Sequence, residues 1–426
     1  MDSYQTLLTI FLLFLFAFTV KLEVRFLATG VFPFISFAGA YYFLFHGAIS
    51  SYVAANVQHL PFPREISFET FAYSAVFASV VIAGIVVGLR LPFSALSRSD
   101  NSGSSQDKIR SASLLTALIL MVIHFSFYAF PVLSSLPSLP QLRTPSWNCA
   151  FAILSFWALS GKLRRVAIAG LVVILLIKLW LDIRLGLITP LVYTFMILAA
   201  ASIVTKKLRV FVLSFLLAAS IVLGYGYVKN YSNVVLRDQP KLLEFTASNI
   251  LFSFNAAARR SSHSLVTETV LSKTPEDVAE MWHNPLVDAL LNHIPRFLWS
   301  GKPTEKLGNE FGQRYNILDN PNDNDTSWNL TWAVDLFIAY GMYLAVAASF
   351  AINVAIGVGV RWMSGHSERE VWFGIHAAVL FPLFYQESNF SVMTGNLLSI
   401  FAVIYLIHQA SKIALNQLVK ITQASP

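Results

Sequence analysis

Phe68 to Leu89 reads FETFAYSAVFASVVIAGIVVGL, twenty-two residues with one charge, Glu69, at the leading edge. A run of about 20 apolar residues is what a helix needs to cross the hydrocarbon of a bilayer, where every backbone N–H and C=O must be satisfied within the segment. Ten further runs of this kind lie on either side: Leu7 to Val20, Phe26 to Ser50, Ala112 to Ser134, Trp147 to Ser160, Val166 to Leu181, Leu185 to Val204, Val210 to Val228, Leu330 to Val360, Val371 to Gln386 and Ser391 to His408. The expected fold class is an all-α polytopic membrane protein with about eleven transmembrane helices.

Composition agrees. Of 426 residues, 56% are hydrophobic and 12% charged, against about a quarter charged in a soluble domain. A water-soluble globule is excluded. The single cysteine, Cys149, excludes an internal disulfide framework and a cysteine-based metal site. The net charge of +7 is mostly topology. Lys21 and Arg25, Arg90 to Arg110, Lys162 to Arg165, Lys206 to Arg209, Arg361 with Arg369, and Lys412 with Lys420 all fall on one side under a single alternation, which the positive-inside rule makes cytoplasmic. The surplus therefore argues for no nucleic-acid partner. The amino terminus is expected outside and the carboxyl terminus inside. The first apolar run lacks a cationic leader and a cleavage site before Lys21, so it reads as a membrane helix.

Three regions follow: residues 1–229 with spans one to eight, residues 230–329 as a large, mainly helical outer loop, and residues 330–426 with spans nine to eleven and a cytoplasmic tail. Ser97 to Ser105 reads as a polar linker. The outer loop is too long for a plain connector and too apolar for disorder, so it should fold as a cap on the membrane domain. Leu242 to Leu271 reads as one helix with Arg259 and Arg260 near its middle. Thr274-Pro275 and Asn284-Pro285 are helix starts, a capping side chain followed by proline at the first helical position. The second helix ends at Ile294, before Pro295. Next comes IPRFLWSGKP, Ile294 to Pro303, then Gly308 and Gly312: an irregular backbone presenting Arg296 and Lys302 among apolar neighbours such as Trp299. It reads either as a grip for a phosphorylated lipid-borne ligand or as a rigid turn meeting lipid phosphates.

Ionisable residues at membrane depth are costly and usually functional or paired. Lys178 and Asp182, four apart, can pair on one helix face. Arg184 follows without such a partner, and either snorkels to the headgroups or forms an anion site. Asp335 lies just inside the ninth span and Glu387 tops the tenth. His46, His124, His376 and His408 sit singly on apolar helices and read as packing residues. His283 and His293 in the cap are better placed for chemistry. No Walker loop, GxGxxG, GxSxG or HExxH pattern occurs.

A many-spanning chain with one large outer loop late in the sequence resembles the bacterial oligosaccharide repeat-unit polymerases, the Wzy-type O-antigen polymerases, and more distantly the O-antigen ligases. Asp182-Ile183-Arg184-Leu185-Gly186 is similar to the family's Ser-Arg-Gly pattern, with Ile where the family has Ser. Ile294-Pro295-Arg296 to Lys302-Pro303 looks like its IPR…W…KP segment. Asp335 followed by Tyr340-Gly341 resembles its acidic residue and FG pair, with Asp in place of Glu. The resemblance implies a GT-C-like, metal-independent glycosyltransferase without cofactor, facing the periplasm of the bacterial inner membrane. It would move a growing glycan from undecaprenyl diphosphate to the hydroxyl of a second lipid-linked repeat unit, with a separate co-polymerase setting chain length. On that reading Arg184, Arg296 and Lys302 grip the donor diphosphate, with Arg259 or Arg260 as lesser candidates, the Trp299 ring stacks on a sugar face, and Asp335 is the first choice of base. Behind it stand Glu305, Glu310 and His293. Fixed cations suit the task because charge on the leaving diphosphate grows in the transition state. The rivals are an O-antigen ligase, a lipid-linked oligosaccharide flippase and a structural scaffold.

Overall fold

The computed structural model describes every residue except 1–2, 58–59, 92–102, 137–138, 162, 164, 186, 225–245, 274–283, 295–297, 300–306, 319–327, 329 and 425–426. Among the described residues all regular structure is helical. Among the described residues six helices are long and apolar enough to cross a membrane: Tyr4–Ala28, Phe68–Arg90, Ser111–Ala129, Arg165–Arg184, Trp332–Ser364 and Phe390–Leu418. The chain is a multi-pass membrane protein.

In order, α1 (Ser3–Ala28) turns at Gly30 into α2 (Ile35–Tyr41), a π-helical turn (Tyr42–Ala48) and α3 (Ile49–Asn56). Next come α4 (Phe68–Arg90), α5 (Gly103–Ala129), α6 (Val132–Ser135), α7 (Arg143–Leu159), α8 (Arg165–Arg184), α9 (Ile188–Val204) and α10 (Leu208–Leu223). Residues 230–329, the segment expected outside, supply α11 (Ala247–Arg260), α12 (His263–Leu271), α13 (Pro285–Asn292) and α14 (Leu307–Arg314). The chain closes with α15 (Trp332–Ser364), α16 (Arg369–Val379), a 3-10 turn (Phe381–Phe384), α17 (Phe390–Thr394) and α18 (Leu397–Ala424).

Helices α4 and α15 pack along their length, and glycine is what lets them approach. Lipid offers no hydrophobic force to drive two apolar helices together, so close backbone contact between small residues has to do it. Gly84 and Gly88 form a G-xxx-G step on α4. A Cβ added at Gly84 would lie 2.7 Å from the Phe350 carbonyl, and at Gly88 it would meet the Val354 carbonyl and Gly357. Helix α7 is buried from Ser146 to Trp157, enclosed by α5, α9 and α16. By contrast α8 packs on α9 and exposes Val172, Val173, Leu176, Ile177 and Trp180.

Expectation and structure part in several places. Phe26 to Ser50 is not one span: α1 runs on to Ala28, and a turn separates it from α2. Trp147 to Ser160 lies in a 17-residue helix and Val371 to Gln386 in an 11-residue helix with a 3-10 turn, both shorter than the usual span of about 20 residues and both buried. Leu242 to Leu271 is no single helix, because Ser261 and Ser262 break it and place Arg259 and Arg260 in the last turn of α11. Gly308 and Gly312 sit inside α14 rather than in irregular backbone, and Gly103 to Ser105 already belong to α5. The Asn284 cap holds as read: its side chain accepts the Val287 amide, with Pro285 at the first helical position. The expected helix start at Thr274-Pro275 lies outside the described residues.

The 33 residues of α15 are divided at Gly341, whose φ of 71° and ψ of 175° are not helical. A straight helix of that length would run to about 50 Å, well beyond a hydrocarbon core of about 30 Å. The break leaves a nine-residue outer piece, Trp332 to Tyr340, and a separate long span. A left-handed φ suits glycine alone. Gly341→Ala is expected to cost about 1–2 kcal/mol from dihedral strain only, since nothing lies within 4 Å of the added carbon. An unchanged thermal midpoint in detergent would remove Gly341 as the cause of the break.

At the basic end, the Phe32 amide donates to Ser364 Oγ at 2.9 Å and Arg369 to the Gly30 carbonyl at 3.1 Å, tying the α1–α2 turn to the α15–α16 turn. Glu368 in that turn binds His408 Nε2 at 2.6 Å and Lys412, while Thr116 of α5 meets His408 Nδ1 at 3.1 Å. Burial pushes the Glu368 carboxyl up, but the hydrogen bonds and charges of His408 and Lys412 outweigh it and bring it down from 4.5 to about 2. The folded state therefore holds this proton less well than the unfolded chain. Its contribution to stability is complete above pH 4.5 and is lost as pH falls toward 2. Glu368→Gln is expected to be less stable than wild type at pH 6, with the gap narrowing below pH 4.5 and closing only as pH approaches 2 in thermal melts. A pH-independent gap would refute the ion-pair account.

Candidate functional site

The outer segment does not merely lie over the bundle. Helix α12 is inserted into it, with every residue from His263 to Val270 buried. Its position is fixed by polar contacts at both ends. Glu268 Oε2 accepts the Ser67 amide at 2.7 Å and the Ser67 hydroxyl at 2.8 Å, which ties α12 to the residue capping α4. Ser264 donates to Gln5 Oε1 at 2.8 Å, and its amide donates to Ser50 Oγ at 3.3 Å. Gln5 in turn donates to the carbonyls of His46 and Gly47 at 3.2 and 3.3 Å. A π-helical turn widens the ladder and frees carbonyls for such use, which is one reason these turns gather at functional sites.

Around His263 the structure assembles a buried polar set from three separate parts of the chain. Tyr41 Oη lies 3.1 Å from His263 Nδ1. Glu387 Oε1 lies 4.0 Å from His263 Nε2, and that nitrogen has no hydrogen-bond partner. With the Tyr41 hydroxyl donating to Nδ1, the ring hydrogen sits on Nε2 and points to the carboxylate. The ring stacks on Phe45, centroids 5.4 Å apart, and stands edge-on to His46 at 5.3 Å. Neither nitrogen of His46 is partnered, although the residue is 2% exposed. Next to this set, Tyr42 donates to Gln386 Oε1 at 2.6 Å, and Gln386 donates to Asn353 Oδ1 at 3.4 Å. The backbone of Gln386 accepts the Trp332 amide at 3.1 Å, so the loop bearing Glu387 is anchored to the start of α15. Glu387 itself is 8% exposed, more open than His263 at 2%. A phenol, an imidazole and a carboxylate in line can take up, pass on and release a proton.

The residues singled out from sequence are distributed differently. Asp335 is fully buried, and its Oδ2 accepts the Phe390 amide at 2.8 Å, so it braces the start of α17. Lys178 and Asp182 pair as the spacing implied, and Tyr128 donates to Asp182 Oδ1 at 2.8 Å. Arg184, the exposed last residue of α8, sits over the Trp180 ring at 5.6 Å. Arg260 lies 6.0 Å from the Trp328 ring, and Trp299 is half-buried. His293 donates to or accepts from nothing distant: its Nδ1 meets the Ala289 carbonyl one turn back, at 2.7 Å. Arg296, Lys302, Glu305 and His283 lie outside the described residues. The gathering of Arg184 with Arg296 and Lys302 is thus not part of the described geometry.

Of the four histidines read as packing residues, His46 instead faces His263, and His124 and His408 are hydrogen-bonded in polar clusters. Nothing in the spacing singled out His263. The only local sign is Ser261-Ser262-His263-Ser264, a polar run too short to be a loop yet enough to end a helix. Among the described residues no group of three or more His, Cys, Asp and Glu side chains is placed to hold a metal ion. Comparison with protein-family models, curated proteins and solved structures finds no match to this chain.

Proposed function

We propose that this chain is an integral membrane glycosyltransferase that polymerises undecaprenyl-diphosphate-linked oligosaccharide repeat units into a surface polysaccharide such as O-antigen. On this reading it sits in the bacterial inner membrane with about eleven crossings, the short buried helices included, in a GT-C-like arrangement with its working face toward the periplasm. The observation that carries the proposal is the insertion of α12. A helix from the long segment 230–329 brings a buried imidazole between a phenol and a carboxylate of the helical bundle, a set to which a lipid-borne glycan would bring its hydroxyl.

Glu387, the more open member, takes the proton of the acceptor hydroxyl. His263 and Tyr41 behind it orient the carboxylate and share the charge. Asp335, buried against the Phe390 amide, stands as the alternative base. The donor diphosphate is met by Arg184, Arg296 and Lys302, with Arg259 and Arg260 behind them, each fixed cation stabilising the leaving group by on the order of 3 kcal/mol. The test is a cell lacking the protein. Lipopolysaccharide carrying single repeat units supports a polymerase, whereas free lipid-linked polymer identifies a ligase with the same donor chemistry.

A second reading, a lipid-linked oligosaccharide flippase, is favoured by two specific features. Carboxylate–imidazole sets at membrane depth serve as proton relays in transporters, and interrupted helices such as α15 at Gly341 line their binding sites. Proteoliposomes separate the two: a flippase moves labelled lipid across the bilayer and leaves glycan length unchanged.

A further inference from the structure

A second buried polar cluster, separate from the His263 set, lies where α5, α7 and α8 meet. It holds two cations, Arg143 and Lys178, and one acid, Asp182. Both carboxylate oxygens of Asp182 are committed, one to Lys178 and the other to the Tyr128 hydroxyl. Lys178 is itself fully buried, 5.3 Å from the Trp147 ring. The remaining positive charge is that of Arg143. Its guanidinium lies 4.2 Å from the Tyr128 ring, and its Nη2 has no acceptor. Among the described residues Arg143 makes no ion pair, so one cation of the cluster is left without a counter-charge from the chain.

His124 adds a second, different vacancy. Its Nδ1 donates to the Arg143 carbonyl at 2.7 Å, which leaves Nε2 as a bare acceptor. The residue is 1% exposed and Nε2 has no donor. A buried unmet acceptor beside an uncompensated guanidinium asks for a ligand that offers both an anion and a hydroxyl. Arginine matches a phosphate through its planar fork. The surrounding surface suits a lipid, because α8 presents an apolar face of Val172, Val173, Leu176 and Ile177 to the outside. We infer that the junction of α5, α7 and α8 is a binding site for a lipid-borne phosphate with a neighbouring hydroxyl. Two sources share that chemistry, a phosphatidylglycerol headgroup and a polyprenyl phosphate carrying sugar. The site is read from binding alone and stands apart from glycosyl transfer.

The test is native mass spectrometry of the full chain released from phosphatidylcholine nanodiscs doped with phosphatidylglycerol. Wild type is expected to retain one phosphatidylglycerol in preference to phosphatidylcholine. Arg143→Gln should weaken that retention at least tenfold, with Arg143→Lys in between, while Lys207→Gln at the basic end leaves it unchanged. His124→Phe should erase the preference for phosphatidylglycerol over phosphatidylethanol, which bears the charge but no hydroxyl. Displacement by a polyprenyl phosphate carrying one sugar identifies the carrier as the occupant, and resistance to it identifies a structural phospholipid. Should Arg143→Gln fail to fold, the lipid preference of wild type and of Arg143→Lys still decides. Equal retention of phosphatidylcholine and phosphatidylglycerol by wild type, or an Arg143→Gln protein that retains phosphatidylglycerol as wild type does, overturns the proposal.

Discussion

Glu387→Gln is expected to lower the proposed repeat-unit transfer at least a hundredfold while the protein still folds and reaches the membrane. The replacement keeps the size and hydrogen-bonding shape of the side chain but takes away its capacity to accept a proton. Loss of a positioned base costs about 10²- to 10⁴-fold. His263→Asn should follow in the same direction with a smaller loss, because it removes the support 4.0 Å from the carboxylate and not the proton acceptor. The double variant should be little worse than Glu387→Gln alone, as expected when two groups act as a unit. The measurement is chain extension of purified undecaprenyl-diphosphate-linked repeat units in proteoliposomes. If Asp335→Asn shows the larger loss and Glu387→Gln remains active, the base is Asp335 and the His263 set has another use.

Gly88→Val should be the most disruptive single change in the bundle. The position has no room: a first side-chain carbon already meets the Val354 carbonyl and Gly357 of α15, both backbone and unable to rotate away. Gly88→Ala is expected to cost about 1–3 kcal/mol by overpacking, and valine more. The helices must then move apart along the pairing that also carries Tyr73, whose hydroxyl donates to the Ala333 carbonyl at 2.6 Å. Thermal unfolding in detergent measures the loss for alanine, and the yield of folded protein measures it for valine. Gly170→Ala on α8, where nothing lies within 4 Å of the added carbon, is the matching control. Equal behaviour of Gly88→Ala and Gly170→Ala would dismiss the close-packing account.

Apolar runs are legible because their signal is local: α4 and α8 emerge nearly as read, and α1, α5 and α15 at the expected places with different bounds. Where reading stops is instructive. The α7 run and the α8 run look alike in sequence, yet α7 is enclosed on all sides and α8 shows most of its surface. Hydropathy records only that a residue avoids water, not whether it meets lipid or protein. The Lys178–Asp182 pair was visible because four-residue spacing is a local rule. The pairing of His263 with Glu387 joins residues more than a hundred positions apart, and no periodicity spans such a distance. The break within α15 was hidden for the opposite reason: Gly341 is compatible with an apolar run, and only its backbone angles reveal it.

The insertion of α12 also constrains how the molecule is made. Its neighbours include Gln5, Tyr41, Ser50 and Ser67, synthesised earlier, and Glu387 and α15, synthesised later. Once synthesised, residues 263–271 have only part of their packing partners until the last third of the chain arrives. Their docking is then a late closing step, shared by both ends of the polypeptide. The outer segment expressed alone would have no partner for its most buried helix, so the chain is expected to resist division at the boundaries of that segment.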